Sequence, residues 1–218
     1  MLHILCLCLT LCAALPARAC ETALLLAMDV SNSVDSAEYR LQAHGLAQAL
    51  EDPEIAAILV QDRVALSVMQ WAGEDRQQTA IGWVQMTRPE DVAQLAARAR
   101  EMPRAFVLSD TAPASALHGA IDRFASAPDC KRRIIDVSGD GTPNSGGPTG
   151  AARQRAERAG ITVNGLAIEA PGRGLAITNF YHRALITRDG FVMTARGHQS
   201  FAETLRRKML REISRVTG

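Results

Sequence analysis

Past its first sixteen residues this sequence has no apolar run long enough to cross a bilayer, which takes roughly 20 residues. Charge of one sign is also missing, since 24 Lys and Arg stand against 23 Asp and Glu. So balanced a chain carries no signature of a nucleic-acid or anionic-membrane partner. The glycine-rich stretch from Gly139 to Gly147 lacks the Gly-Lys-Ser/Thr ending of a phosphate-binding P-loop. No G-x-S-x-G occurs, which excludes the nucleophile elbow of the α/β hydrolases. His44, His118, His182 and His198 are scattered without zinc-like spacing and read as surface or internally satisfied histidines. Cysteine is scarce: of five in all, Cys6, Cys8 and Cys12 fall within the apolar start.

That start runs from Leu2 to Pro16 as LHILCLCLTLCAALP, too short for a spanning helix. Ala17-Arg18-Ala19 then supplies a small-x-small cleavage pattern, so residues 1–19 read as a secretory signal peptide. The mature chain is then residues 20–218, 199 in number, with 23 basic and 23 acidic side chains once Arg18 is gone. That length suits one domain. The product is expected to be exported, periplasmic or extracellular, without a transmembrane segment. Cys20 and Cys130 remain in an oxidising compartment, where a disulfide is the natural reading. Lipid attachment at Cys20 and two free thiols are the alternatives, and Ala17-Arg18 before Ala19 matches a lipidation site poorly.

Strand-like apolar runs alternate with amphipathic stretches along the rest of the chain. Thr22 to Met28 is almost continuously apolar, as a strand covered on both faces should be, and stops abruptly at Asp29-Val30-Ser31-Asn32-Ser33. A helix opened by Asp35 and Ser36 runs to about Leu50, with Tyr39, Leu41, Leu46 and Leu50 among its apolar positions and Asp52-Pro53 beyond its end. Arg63 to Trp71 and Gln77 to Met86 read as strands. The short turn Gly73-Glu74-Asp75 between them makes the second an antiparallel edge strand. Trp71 and Trp83 read as core or edge packing.

Further helices are expected from Pro89 to about Glu101, Ala114 to Ala125, Thr149 to Ala159 and Ser200 to Ser214. Further strands are expected at Arg132 to Val137, Ile161 to Ile168 and Phe191 to Thr194, with no element assigned between Ile177 and Gly190. The closing helix places Phe201, Leu205 and Met209 on one stripe; Arg206, Arg207, Lys208 and Arg211 read as a solvated basic face. This alternation predicts a doubly wound α/β domain, its mostly parallel sheet covered by helices on both faces.

Ligands of such sheets bind beyond the carboxyl ends of the strands. Asp29, Ser31 and Ser33 follow the first strand as D-x-S-x-S, one carboxylate and two hydroxyls. Oxygen-only donors of this kind suit a hard cation such as Mg²⁺ rather than zinc. Helix capping is the plainer use of the same residues. Ser31 also stands where a haloacid-dehalogenase phosphatase needs a second acid. Two further loops carry Ser109-Asp110-Thr111, before a helix, and Asp140-Gly141, after a strand.

In order and separation, these three loops resemble the metal-ion-dependent adhesion site of von Willebrand factor A domains. RRIIDVSGDG (Arg132 to Gly141) and GITVNGLAI (Gly160 to Ile168) further resemble a bacterial branch of exported proteins described only as a domain of unknown function. The resemblance implies a six-stranded sheet of order 3-2-1-4-5-6. It implies Asp29, Ser31, Ser33, Thr111 and Asp140 as the site, Mg²⁺ or Mn²⁺ as the ion, and a protein partner whose acidic side chain completes the ion's shell. In that topology the first and fourth strands are parallel neighbours, which brings Cys20 and Cys130 within bridging reach. A non-enzymatic, metal-dependent protein-binding module is therefore expected. A metal-assisted hydrolase, with Asp110 or Asp136 as base, and a structural envelope domain are the alternatives.

Overall fold

The computed structural model describes residues 20–172 and 174–214; the signal-peptide reading of residues 1–19 lies outside the described residues. β1 (Cys20–Asp29) is buried along its length apart from Glu21. α1 (Ser36–Glu51) and α2 (Pro53–Gln61) lead to β2 (Ala65–Trp71) and β3 (Gln77–Gln85), followed by α3 (Pro89–Glu101) and α4 (Pro113–Arg123). β4 (Cys130–Gly139), α5 (Gly150–Arg158), β5 (Ile161–Glu169), α6 (Ala176–Phe180), β6 (Val192–Arg196) and α7 (Phe201–Ile213) complete the order. The strands form one sheet, β3-β2-β1-β4-β5-β6. Only the β2–β3 pair is antiparallel.

Side chains alternate across the central strands with a period of two. Leu24, Leu26 and Met28 pack beneath α1, α2, α3 and α7, with Leu46, Leu59, Leu95 and Phe201. Leu25 and Ala27 face α4, α5 and α6, with Leu117, Ala152 and Ile177. Trp71 is buried in this second layer, and Trp83 stacks edge-on against Phe124. The pairing of β1 with β4 sets Cys20 opposite Cys130, and the two are joined by a disulfide at the end of the sheet remote from Asp29.

Two segments correct the sequence reading. Asp52-Pro53 starts a helix as well as ending one: the Asp52 carboxylate caps the N–H groups of Glu54 and Ile55, and Pro53 sits in the first turn of α2, where its missing N–H costs nothing. Between Ile177 and Gly190 the chain forms α6 and one wide, π-type turn, Tyr181–Leu185. Neither is long enough to show a helical period. Tyr181 is buried because β5 carries a glycine beneath it; a Cβ at Gly165 would lie 2.4 Å from the ring.

The expected basic face of α7 also needs correction. Arg206 reaches out to Asp52 and Glu54 at 2.7 and 3.3 Å, but Lys208 is fully buried. Phe201, Leu205, Lys208 and Glu212 are spaced four, three and four apart, so they share the inward stripe. The Lys208 ammonium pairs with Glu212 and lies 2.7 Å from Asp136 Oδ1 of β4, while Asn164 Nδ2 donates to Glu212 at 2.7 Å. The Arg211 guanidinium stacks 3.8 Å above the Phe191 ring centroid. Asp136, a candidate base in the sequence, is thus committed to a structural ion pair.

Burial raises the carboxyls of both Asp136 and Glu212, and the charge of Asp136 adds to the effect on Glu212, which is pushed up to about 7 against the pull of Lys208. Removing one member of such a cluster strands the others in low dielectric. Lys208→Met should therefore lower the unfolding free energy by about 3–5 kcal/mol, read from urea melts.

Glu212 is also linked to pH. It holds its proton to about 7 when folded and to 4.5 when unfolded, so its contribution is complete below 4.5 and is lost as pH rises through 7. Glu212→Gln, whose Oε1 can keep both contacts, should flatten the fall in stability across that window in melts run with chelator.

Candidate metal centre

The site begins where β1 runs out of sheet. Asp29 is fully buried, and its Oδ1 accepts the Ser31 N–H at 2.8 Å. The loop that follows is held through its backbone: Val30 N–H donates to Trp71 at 2.9 Å, and Asn32 N–H to Ser109 at 2.9 Å. The Arg104 guanidinium donates to the carbonyls of Val30 and Ser31, both at 3.0 Å. These ties turn the two serine hydroxyls onto one spot, with Ser31 Oγ 3.1 Å from Ser33 Oγ.

The other two loops close on that spot. Thr111 Oγ1 donates to Ser31 Oγ at 3.0 Å, and Ser33 Oγ donates to Asp140 Oδ1 at 2.5 Å. Asn144, in the loop after β4, clamps Thr111 by accepting its N–H at 2.8 Å and donating to its carbonyl at 3.1 Å. Asp29, Ser31, Ser33, Thr111 and Asp140 therefore meet, as their motifs implied. Asp110 stays on the exposed rim beside Thr111.

Electrostatics leaves this cluster short of positive charge. Burial pushes the Asp29 carboxyl up to about 7; the Ser31 N–H opposes the shift and the nearby Asp140 charge reinforces it. Asp140 is raised as well, by burial first, against the hydrogen bond from Ser33. Among the described residues Asp29 Oδ2 has no hydrogen-bond partner, and neither has the Tyr181 hydroxyl. Both approach Gly139, where a Cβ would lie 2.8 Å from each. An orphaned carboxylate oxygen beside three hydroxyls and a second carboxylate is an all-oxygen donor set that fits a hard divalent cation.

Several neighbours escaped the sequence. Tyr181 and Arg104 come from remote segments with no local motif. Glu38 had a signal, because Asp35-x-x-Glu38 is a capping box: Asp35 N–H donates to Glu38 Oε2 at 2.8 Å. His198 is the internal case of the two the scattered histidines allowed. It is buried, and its Nδ1 lies 3.2 Å from Glu38 Oε1, near Asp140.

The sheet order is that of the von Willebrand factor A-type α/β fold. The chain belongs to DUF1194, a protein family of unknown function whose model matches residues 19–217. A comparison with curated proteins finds no match. Among solved structures, the von Willebrand factor type A protein of Catenulispora acidiphila aligns with a TM-score of 0.64 and 17% identity over 88% of this chain and 43% of that one. The pilus adhesin SpaC of Lactobacillus rhamnosus GG gives 0.67 and 11% identity over 88% and 31%. Proximal thread matrix protein 1 from the mussel byssus, with a zinc-occupied MIDAS motif, gives 0.59 and 15% identity over 89% and 45%. The chain spans less than half of each, and likeness at this identity establishes the fold.

The close approach at Gly139 makes a direct expectation. Gly139→Ala should destabilise the protein by roughly 1–3 kcal/mol in urea melts, because a methyl there overpacks Asp29 and Tyr181.

Proposed function

We propose that this chain is an exported protein-binding module that recognises its partner through one divalent cation, Mg²⁺ or Mn²⁺. The carrying observation is the orphaned, buried Oδ2 of Asp29 beside the converging hydroxyls of Ser31, Ser33 and Thr111. In this reading the three hydroxyls hold the ion directly, and Asp29 and Asp140 hold it directly or through water. Neutral donors leave the bound cation much of its charge and an open position for a carboxylate supplied by the partner. The hydrolase alternative is weakened because Lys208 engages Asp136, one of its two candidate bases.

The rim supports a docking role. Val107 and Leu108, directly before the Ser109-Asp110-Thr111 loop, are 62% and 85% exposed. Leu108 has φ of +50°, a left-handed conformation that costs a non-glycine residue roughly 1–2 kcal/mol. Strain of this sort gathers at functional surfaces. An apolar side chain next to the partner's acid would cover Leu108. Export rests on the segment read as a signal peptide and is consistent with the Cys20–Cys130 disulfide, a bond of oxidising compartments.

The test is Mg²⁺ titration calorimetry on the oxidised mature chain beside Asp29→Ala and Ser31→Ala. Saturable binding in the parent, weakened at least ten-fold in both folded variants, is expected. Partner capture should then be lost with chelator. A folded parent that binds no Mg²⁺ overturns the reading and favours a structural domain.

A further inference from the structure

We infer that Glu38, Asp140 and His198 form a second divalent-cation site, next to the first and sharing Asp140 with it. One ligand atom from each of the three lies within 4.8 Å of the other two. They arrive from three separate elements. Glu38 is set in the first turn of α1 by its capping contact with Asp35. Asp140 follows β4. His198 is delivered by the turn between β6 and α7, where Gly197 adopts φ of +84° and donates its N–H to the Glu169 carbonyl at 2.8 Å.

The imidazole is the observation that points to an ion. Its side chain is 6% exposed, Nδ1 lies 3.2 Å from Glu38 Oε1, and among the described residues Nε2 has no hydrogen-bond partner. A buried ring nitrogen left without a partner costs free energy on the order of a lost hydrogen bond. Two carboxylates share this one imidazole, so the cluster is anionic whenever the ring is neutral.

Size and access agree. Bonds of about 2.0–2.2 Å place ligand atoms roughly 3–4 Å apart, so the three groups need to contract only slightly. Glu38, whose side chain is 34% exposed, would make that movement by giving up its capping contact with Asp35 N–H. A cavity of about 350 Å³ opens beside them, bounded also by Leu41, Glu169 and Arg196, with room for water or a further ligand.

The donor set differs in kind from the first site. Three hydroxyls favour a hard ion, whereas a nitrogen with two carboxylates favours Zn²⁺ or Mn²⁺ over Mg²⁺. Asp140 Oδ1 accepts from Ser33, which leaves the second oxygen of the same carboxylate for the neighbouring ion. The two sites thus form a paired centre of unlike preference. The pairing rests on the reading proposed above; the Glu38–Asp140–His198 site does not.

The experiment is calorimetry on the chelator-stripped, oxidised mature chain, titrated with Zn²⁺ alone and with Mn²⁺ alone. The parent, His198→Gln and Ser31→Ala are compared, and apo thermal melts check that each is folded. Two Mn²⁺ equivalents are expected in the parent and one in each variant. Zn²⁺ affinity should fall at least ten-fold in His198→Gln and stay unchanged in Ser31→Ala. Should His198→Gln fail to fold, Glu38→Gln replaces it with the same expectation. A folded His198→Gln that keeps the parent's stoichiometry and Zn²⁺ affinity overturns the inference. A parent that binds one ion, lost in His198→Gln and kept in Ser31→Ala, upholds this site while refuting the first.

Discussion

The arrangement depends on one unfavourable placement: a carboxylate, Asp29, at the dry end of a strand buried almost throughout. Desolvation opposes its charge, and the second carboxylate close by opposes it further. The surrounding features answer that placement. Ser31 offers a backbone N–H, β4 ends in a glycine so that the oxygen fits, and a tyrosine hydroxyl approaches from below. Arg104 spends its hydrogen bonds on loop carbonyls rather than on the acid itself. Protein groups therefore hold Asp29 in position without neutralising it.

The contrast with Asp136 sharpens the point. Asp136 and Asp140 belong to the same strand and the loop it feeds, yet their charges are met differently. Asp136 has an internal cation, Lys208, carried on the inward stripe of α7 in a chain otherwise basic almost wholly through arginine. Asp140 has a hydroxyl, Ser33, and an imidazole, His198, for neighbours. One acid is a closed, load-sharing part of the core. The other stands among hydroxyls at the strand ends.

What the sequence displayed followed from the range of each interaction. The apolar run of β1, the stripes of the long helices and the D-x-S-x-S loop are local patterns, so the fold class was legible; the sheet order and the grouping of Asp29, Ser31, Ser33, Thr111 and Asp140 came from the resemblance to von Willebrand factor A domains. The three loops could be read together because strand ends of a parallel sheet gather at one edge. α2 was hidden because a proline that stops one helix can begin the next. Tyr181–Leu185 was hidden because a single wide turn has no period to detect. Lys208 was misread because a charged residue is placed at the surface by default, and Asp136, the acid that receives it, lies far away along the chain.

The disulfide between Cys20 and Cys130 has a mechanical consequence. A parallel strand pulled from one end ordinarily peels from its neighbours one hydrogen bond at a time. Here β1 is covalently fastened to β4 at its first residue. Parting β1 from β4 at that end therefore requires breaking a covalent bond as well as the ladder of hydrogen bonds. The register of these two strands, and with it the spacing of Asp29 and Asp140 at their far ends, is thereby pinned at one covalent point.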